Sequence, residues 1–156
     1  MKIAVVTDST AYLTKEELAE YGVYVLPMSV IFGQETYREE IDISAEEFYA
    51  KVKSSPVFPT STQPAVGETY ELFHELAKDY DAIIPITISS GISGTYQTCV
   101  AVAEDMKDEI AIYPIDSEIS CAPQARAVKL AAIMAKSGEY SPEEIVETVQ
   151  RLVDRT

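Results

Sequence analysis

Basic residues are scarce in this chain. Twelve lysines and arginines face 26 aspartates and glutamates, and the 156 residues carry a net charge of −14. That balance argues against a nucleic-acid partner, because phosphate backbones are held by clustered Lys and Arg. Histidine is rarer still. His74, the only one, stands beside charged neighbours in a helical segment and reads as solvent-facing. Only two cysteines are present, Cys99 and Cys121. They make no disulfide framework and, with His74, no metal-site spacing, so both read as free thiols in a reducing compartment. Long apolar runs are missing too. No segment approaches the roughly 20 residues needed to cross a bilayer. The opening "MKIAVVTDST" stops at a polar cluster and reads as a strand, not a signal peptide, so the cytoplasm is the expected location.

What is there describes a globular α/β protein, with 47% hydrophobic residues and 24% charged ones. Short apolar runs alternate with segments of helical period. Strands are expected at Ile3 to Val6, at Val23 to Phe32 with a bend or break at Pro27, at Ala82 to Ile88 and at Ile110 to Ile115. Gly33-Gln34-Glu35 reads as a turn and "TYREEI" as the returning arm of a small hairpin. Capping-box spacing at Thr14–Glu17, Ser44–Glu47 and Ser141–Glu144 opens three helices. Others are expected from Val66 to Asp79, from near Ser93, and from Pro123 or Gln124 to Lys136, while "SSPVFPTSTQP" reads as a loop held open by prolines. The fold class is a three-layer α/β/α domain with a mainly parallel sheet and a small β-hairpin.

Three strands run out into polar clusters, at Thr7-Asp8-Ser9-Thr10, at Ser89-Ser90-Gly91 and at Asp116-Ser117. Ligands of open parallel sheets sit beyond the carboxyl ends of the strands, so the three clusters point to one site; capping of the following helices is the simpler reading of each alone. The richest stretch is "ISSGISGTYQ", Ile88 to Gln97. Gly91 and Gly94 would permit a sharp turn and a close approach, and a helix starting near Ser93 would aim unpaired amides at an anion. Ser93 and Thr95 would add hydroxyl donors. The lysine of GxxxxGK[ST] is missing, and so is GxGxxG, which leaves a carboxylate or a phosphate held by neutral donors. Gly91-Ile92-Ser93-Gly94 falls one position short of G-x-S-x-G, and His74 precedes the serine, so a serine hydrolase using Ser93 is the weaker alternative. In "PTSTQP", consecutive hydroxyls at Thr60, Ser61 and Thr62 are fixed between prolines.

"TDST", "FGQETYREEIDISAEEFY", "PTSTQP", "ISSGISGTYQT" and "IDSEIS" resemble, in order and spacing, the N-terminal domain of the DegV family. The resemblance implies a carrier rather than an enzyme. It would hold a long-chain fatty acid without a cofactor and present it to a separate ATP-dependent fatty acid kinase. By position it puts the carboxylate on Ser93, Gly94 and Thr62, with Ser61 beside them; Thr95 and Ser9, from the hydroxyl clusters at the strand ends, complete the candidate set. It further implies that residues 1–156 form one domain and that the family's C-terminal, ligand-closing domain is absent from this chain. A cleft left uncovered that way would favour a homodimer, and a truncated, non-binding regulatory domain is the other alternative. Burying about 14 methylenes is worth roughly 11 kcal/mol, so the head group needs only to orient the ligand and offset its own desolvation.

Overall fold

The computed structural model describes residues 1–39, 41–119 and 121–155. Its centre is a parallel sheet built from β1 (Ile3–Asp8), β2 (Val23–Leu26), β6 (Ala82–Thr87), β7 (Ala111–Ile112) and β8 (Ile115–Asp116). The order is β2-β1-β6-β7, with β8 also on β6. Every residue of β1 and β6 is buried. That is the pattern of strands covered on both faces, and it explains why they read as unbroken apolar runs.

Alternate residues feed two cores. Ile3, Val5, Ile84 and Ile86 pack with Val128 and Ala131 of α5 (Cys121–Ser137) and Ile145 and Val149 of α6 (Pro142–Asp154). Leu18 of α1 (Lys15–Tyr21) joins them from the same side. On the opposite face, Ala4, Val6 and Ile83 pack with Phe73 and Leu76 of α3 (Val66–Ala77) and Cys99 and Val102 of α4 (Thr95–Asp105). Neighbouring strands β1 and β6 therefore send their following helices, α1 and α4, to opposite faces. Such a switch point opens a crevice above the sheet.

The expected strand from Val23 to Phe32 is two strands in two sheets. Pro27, which has no N–H to donate, ends β2, and the chain continues as β3 (Ser29–Phe32). There it pairs with β4 (Glu35–Arg38) and with β5 (Thr60–Thr62) in a small antiparallel sheet, order β4-β3-β5. Val30 and Phe32 of this sheet pack with Ile43 and with Phe48 and Val52 of α2 (Ala45–Ser54). β5 corrects the loop expectation. Its residues are polar and exposed, and it is a strand through pairing with β3, Thr62 opposite Ser29. The expected fourth strand is likewise divided, because Pro114 interrupts the ladder after Tyr113 donates to the Ile83 carbonyl at 2.8 Å.

All three capping boxes form, with Thr14, Ser44 and Ser141 each accepting from the amide of the glutamate three residues on. Such a cap is worth about 1 kcal/mol. The last helix begins with Pro142 at its first position, where its missing N–H costs nothing. Among the described residues, no helix is long and apolar enough to cross a membrane. Cys99 is a buried free thiol; the side chain of Cys121, together with Glu40, Ser120 and Thr156 from the segments named above, lies outside the described residues.

Candidate anion site at the start of α4

The polar clusters at the three strand ends do meet, tied together by hydrogen bonds. Asp8, fully buried, accepts from the Ile88 amide at 2.7 Å and from the Thr10 amide at 3.0 Å. Gln124 of α5, also fully buried, donates to Thr7 Oγ1 at 3.0 Å and to Asp8 Oδ1 at 3.2 Å. Asp116 Oδ1 accepts from the Ser90 amide at 3.2 Å and the Glu118 amide at 2.9 Å. The capping reading thus describes Asp8, which caps the turn at Ser9–Ala11, while Asp116 Oδ1 is occupied by two loop amides. Among the described residues, Thr87 Oγ1, buried at the end of β6, is without a hydrogen-bond partner.

Ser9 is engaged in the same way. Its hydroxyl donates to Glu39 Oε2 at 2.9 Å and accepts from the Met28 amide at 2.9 Å, stitching the turn after β1 to the small sheet. Thr95 is buried as well, its Oγ1 lying 2.9 Å from Ser93 Oγ and 3.9 Å from Met28 Sδ. Thr95 orients Ser93.

The loop before α4 is pinned at its start and open at its end. Ser89 donates its amide to the Ile119 carbonyl at 3.0 Å, and the Ser93 amide turns back to the Ser89 carbonyl at 3.1 Å. The helix begins at Thr95 with Gly94 as its cap, two residues past Ser93, and Gly94 has no side chain to cap it. First-turn amides and the aligned peptide dipoles favour a negative charge there. Ser93 is half-buried and Gly94 exposed.

Neither Gly91 nor Gly94 takes a left-handed φ, so the sharp-turn reason for these glycines does not hold. Close approach does hold at Gly94, but the approaching group is internal. A Cβ on Gly94 would lie 2.3 Å from Gln63 Oε1. Gln63 also reaches Thr98 Oγ1 at 3.4 Å from its Nε2. This side chain joins the "TSTQP" and "GISGT" loops, bringing exposed Ser61 and Thr62 to the same end of the fold as Ser93. The joining role of Gln63 was not foreseen; its signal was a polar residue held between Thr62 and Pro64.

Neutral donors suit these loops. Phe48–Gly67 has no aspartate or glutamate, and Ala82–Ala103 has no charged side chain at all, in a chain with 26 acidic residues. The hydrogen-bond partners of Ser93 Oγ among the described residues are Thr95 Oγ1 at 2.9 Å and the Thr95 amide at 3.3 Å, neither of which is a general base. His74 is elsewhere, its Nδ1 3.0 Å from Glu109 Oε1 and its ring stacked on Tyr70. The Cys99 thiol is pushed up to about 12 by burial and by the nearby Asp8, which keeps it protonated.

The model of the DegV family, described as an uncharacterised protein family, matches residues 2–156. The chain belongs to the DegV family. Protein DegV of Bacillus subtilis is 47% identical over 152 residues, which are 97% of this chain and 54% of that protein. The crystal structure of DegV from Bacillus subtilis, described as a fatty acid binding protein, superposes with a TM-score of 0.93 at 45% identity. That match covers 99% of this chain and 54% of the other. A stearic acid-binding protein from Eubacterium ventriosum gives a TM-score of 0.85 at 27% identity, over 95% of this chain and 52% of its own. The chain therefore spans about half the length of these DegV relatives.

Proposed function

We propose that this domain binds a long-chain fatty acid, with the carboxylate seated at the start of α4. Ser93 Oγ and the Gly94 amide donate from the helix side, and Thr62, with Ser61 beside it, donates from β5. Thr95 and Ser9 hold the surrounding frame. The observation that carries this reading is the contact of Gln63 with Gly94, which brings the two hydroxyl-rich loops side by side at a helix start whose cap residue has no side chain. The fatty-acid-binding descriptions of DegV relatives support the ligand class. The domain acts as a carrier and presenter, and phosphorylation of the bound acid falls to a separate ATP-dependent kinase; that partner rests on the family resemblance alone.

The test is native mass spectrometry of freshly purified protein, followed by extraction and identification of the released lipid. A stoichiometric long-chain fatty acid, lost in a Ser93→Ala, Thr62→Ala double variant that melts normally, is the expected result. Equal lipid content in the two proteins would refute the site.

A further inference from the structure

We infer that Thr87, the last residue of β6, is a further hydroxyl donor to the carboxylate at the start of α4. This rests on the carboxylate reading above and adds to that site a residue from inside the fold. Thr87 Oγ1 is the one buried side-chain polar atom without a hydrogen-bond partner among the described residues. Its polar neighbours at the strand ends are all engaged. Thr7 Oγ1 donates to the Ile86 carbonyl at 2.7 Å, and Ser117 Oγ to the Ile119 carbonyl at 2.8 Å. Asp8 and Asp116 collect backbone amides, and Ser9 bridges Glu39 and Met28. A buried hydroxyl left unpaired is costly, and valine has nearly the same shape without the polar atom.

The strand directs this hydroxyl toward the helix. Side chains of a strand alternate between its faces. Ile84 and Ile86 belong to the core under α5 and α6, and Ile83 to the core under α3 and α4. Thr87, four residues past Ile83, therefore stands on the α4 side, where Thr95 and Cys99 are buried. Two independent features meet at this strand end: a helix whose cap residue, Gly94, has no side chain, and a stranded donor, fully buried, on the same face. The titratable groups on that face do not serve Thr87. Asp8 takes the Ile88 and Thr10 amides and the Gln124 carboxamide, and the Cys99 thiol stays protonated. No carboxylate from Ala82 to Ala103 is at hand either. The loop is tied at Ser89 and Ser90, so admitting a carboxylate oxygen inward moves only Gly91 to Gly94. Ser93 and Gly94 then hold the outer side of the head group, and Thr87 its inner side.

Affinity and ligand ionisation, both measured on the full chain, test this. Thr87→Val should weaken palmitate about tenfold, as expected for one hydrogen bond to a charged group. The titration midpoint of the bound carboxyl, followed by carbon-13 NMR of carboxyl-labelled palmitate, should rise by about one pH unit, because a lost donor disfavours the charged form. Thr87→Ser, which keeps the hydroxyl, should hold affinity within twofold and leave the midpoint in place. Unchanged affinity in Thr87→Val, a loss with the midpoint in place, or an equal loss in Thr87→Ser overturns the inference while the carboxylate site stands. No binding of palmitate to the unmodified chain removes the carboxylate reading, and this one with it.

Discussion

Two hydroxyl-rich turns leave the sheet at adjacent strand ends, and they have opposite fates. Thr7-Asp8-Ser9-Thr10 after β1 is closed on itself: Asp8 is saturated by the Ile88 and Thr10 amides, and Ser9 is shared between Glu39 and Met28. Ser89 to Thr95 after β6 is tied down at Ser89 and Ser90 but ends in a half-buried serine and a helix without a side-chain cap. Hydroxyl content does not separate them. The difference lies in how far a carboxylate reaches: Asp8 collects the donors of the first turn, whereas in the second Asp116 takes the Ser90 amide and no acidic group of the segment itself, between Ala82 and Ala103, faces Ser93 and Gly94. A turn that carries its own carboxylate has no need of an external one; a turn that lacks it is left ready for a ligand's.

Removing the internal carboxylate should have the largest effect on stability. Asp8→Ala strands the Ile88 amide and the Gln124 carboxamide in a fully buried setting, a loss of about 3 kcal/mol. At this chain length each kcal/mol is worth roughly 2–4 °C. A thermal melt should fall accordingly, and a shift below about 2 °C would mean that the first turn is not closed as described. Thr87→Val, between the two turns, should act in the other direction. It deletes a buried hydroxyl that has no partner and should raise stability by about 1 kcal/mol in urea unfolding; a destabilisation of that size would mean that Thr87 Oγ1 has a partner in solution. Gly94→Ala, in the second turn, should be the mildest to the fold. The far end of Gln63 is flexible and can move aside, so the cost is about 0.5–1 kcal/mol, mostly from replacing Gly at a helix cap. Its signature is in binding: displacing Gln63 separates the two loops and should weaken palmitate severalfold in a titration.

The contrast also shows how far the residues alone could be read. β1 and β6 were legible because strands buried on both faces must be apolar throughout, and the three capping boxes because their chemistry is local. β5 was not legible. Thr60, Ser61 and Thr62 are exposed and have no alternation, and only the backbone of β3 makes them a strand. Pro27 announced a break but not that the two halves would join different sheets. At the proposed site, Ser93, Gly94 and Thr62 stood out through unusual density of hydroxyl and glycine. Gln124 gave no signal, since a glutamine in a helix reads as surface until the packing of α5 on β1 buries it. Whether Ser9 and Thr95 face a ligand or the protein depends on the position of Met28, a long-range fact that no local motif encodes.

The most direct measurement is the carbon-13 NMR signal of carboxyl-labelled palmitate in the presence of the protein. The open-turn account predicts one shifted, bound carboxyl resonance, retained in Ser9→Ala and lost in Ser93→Ala, Thr62→Ala. A bound resonance that survives the double substitution in a folded protein, or that vanishes with Ser9→Ala alone, would place the carboxylate elsewhere and contradict it.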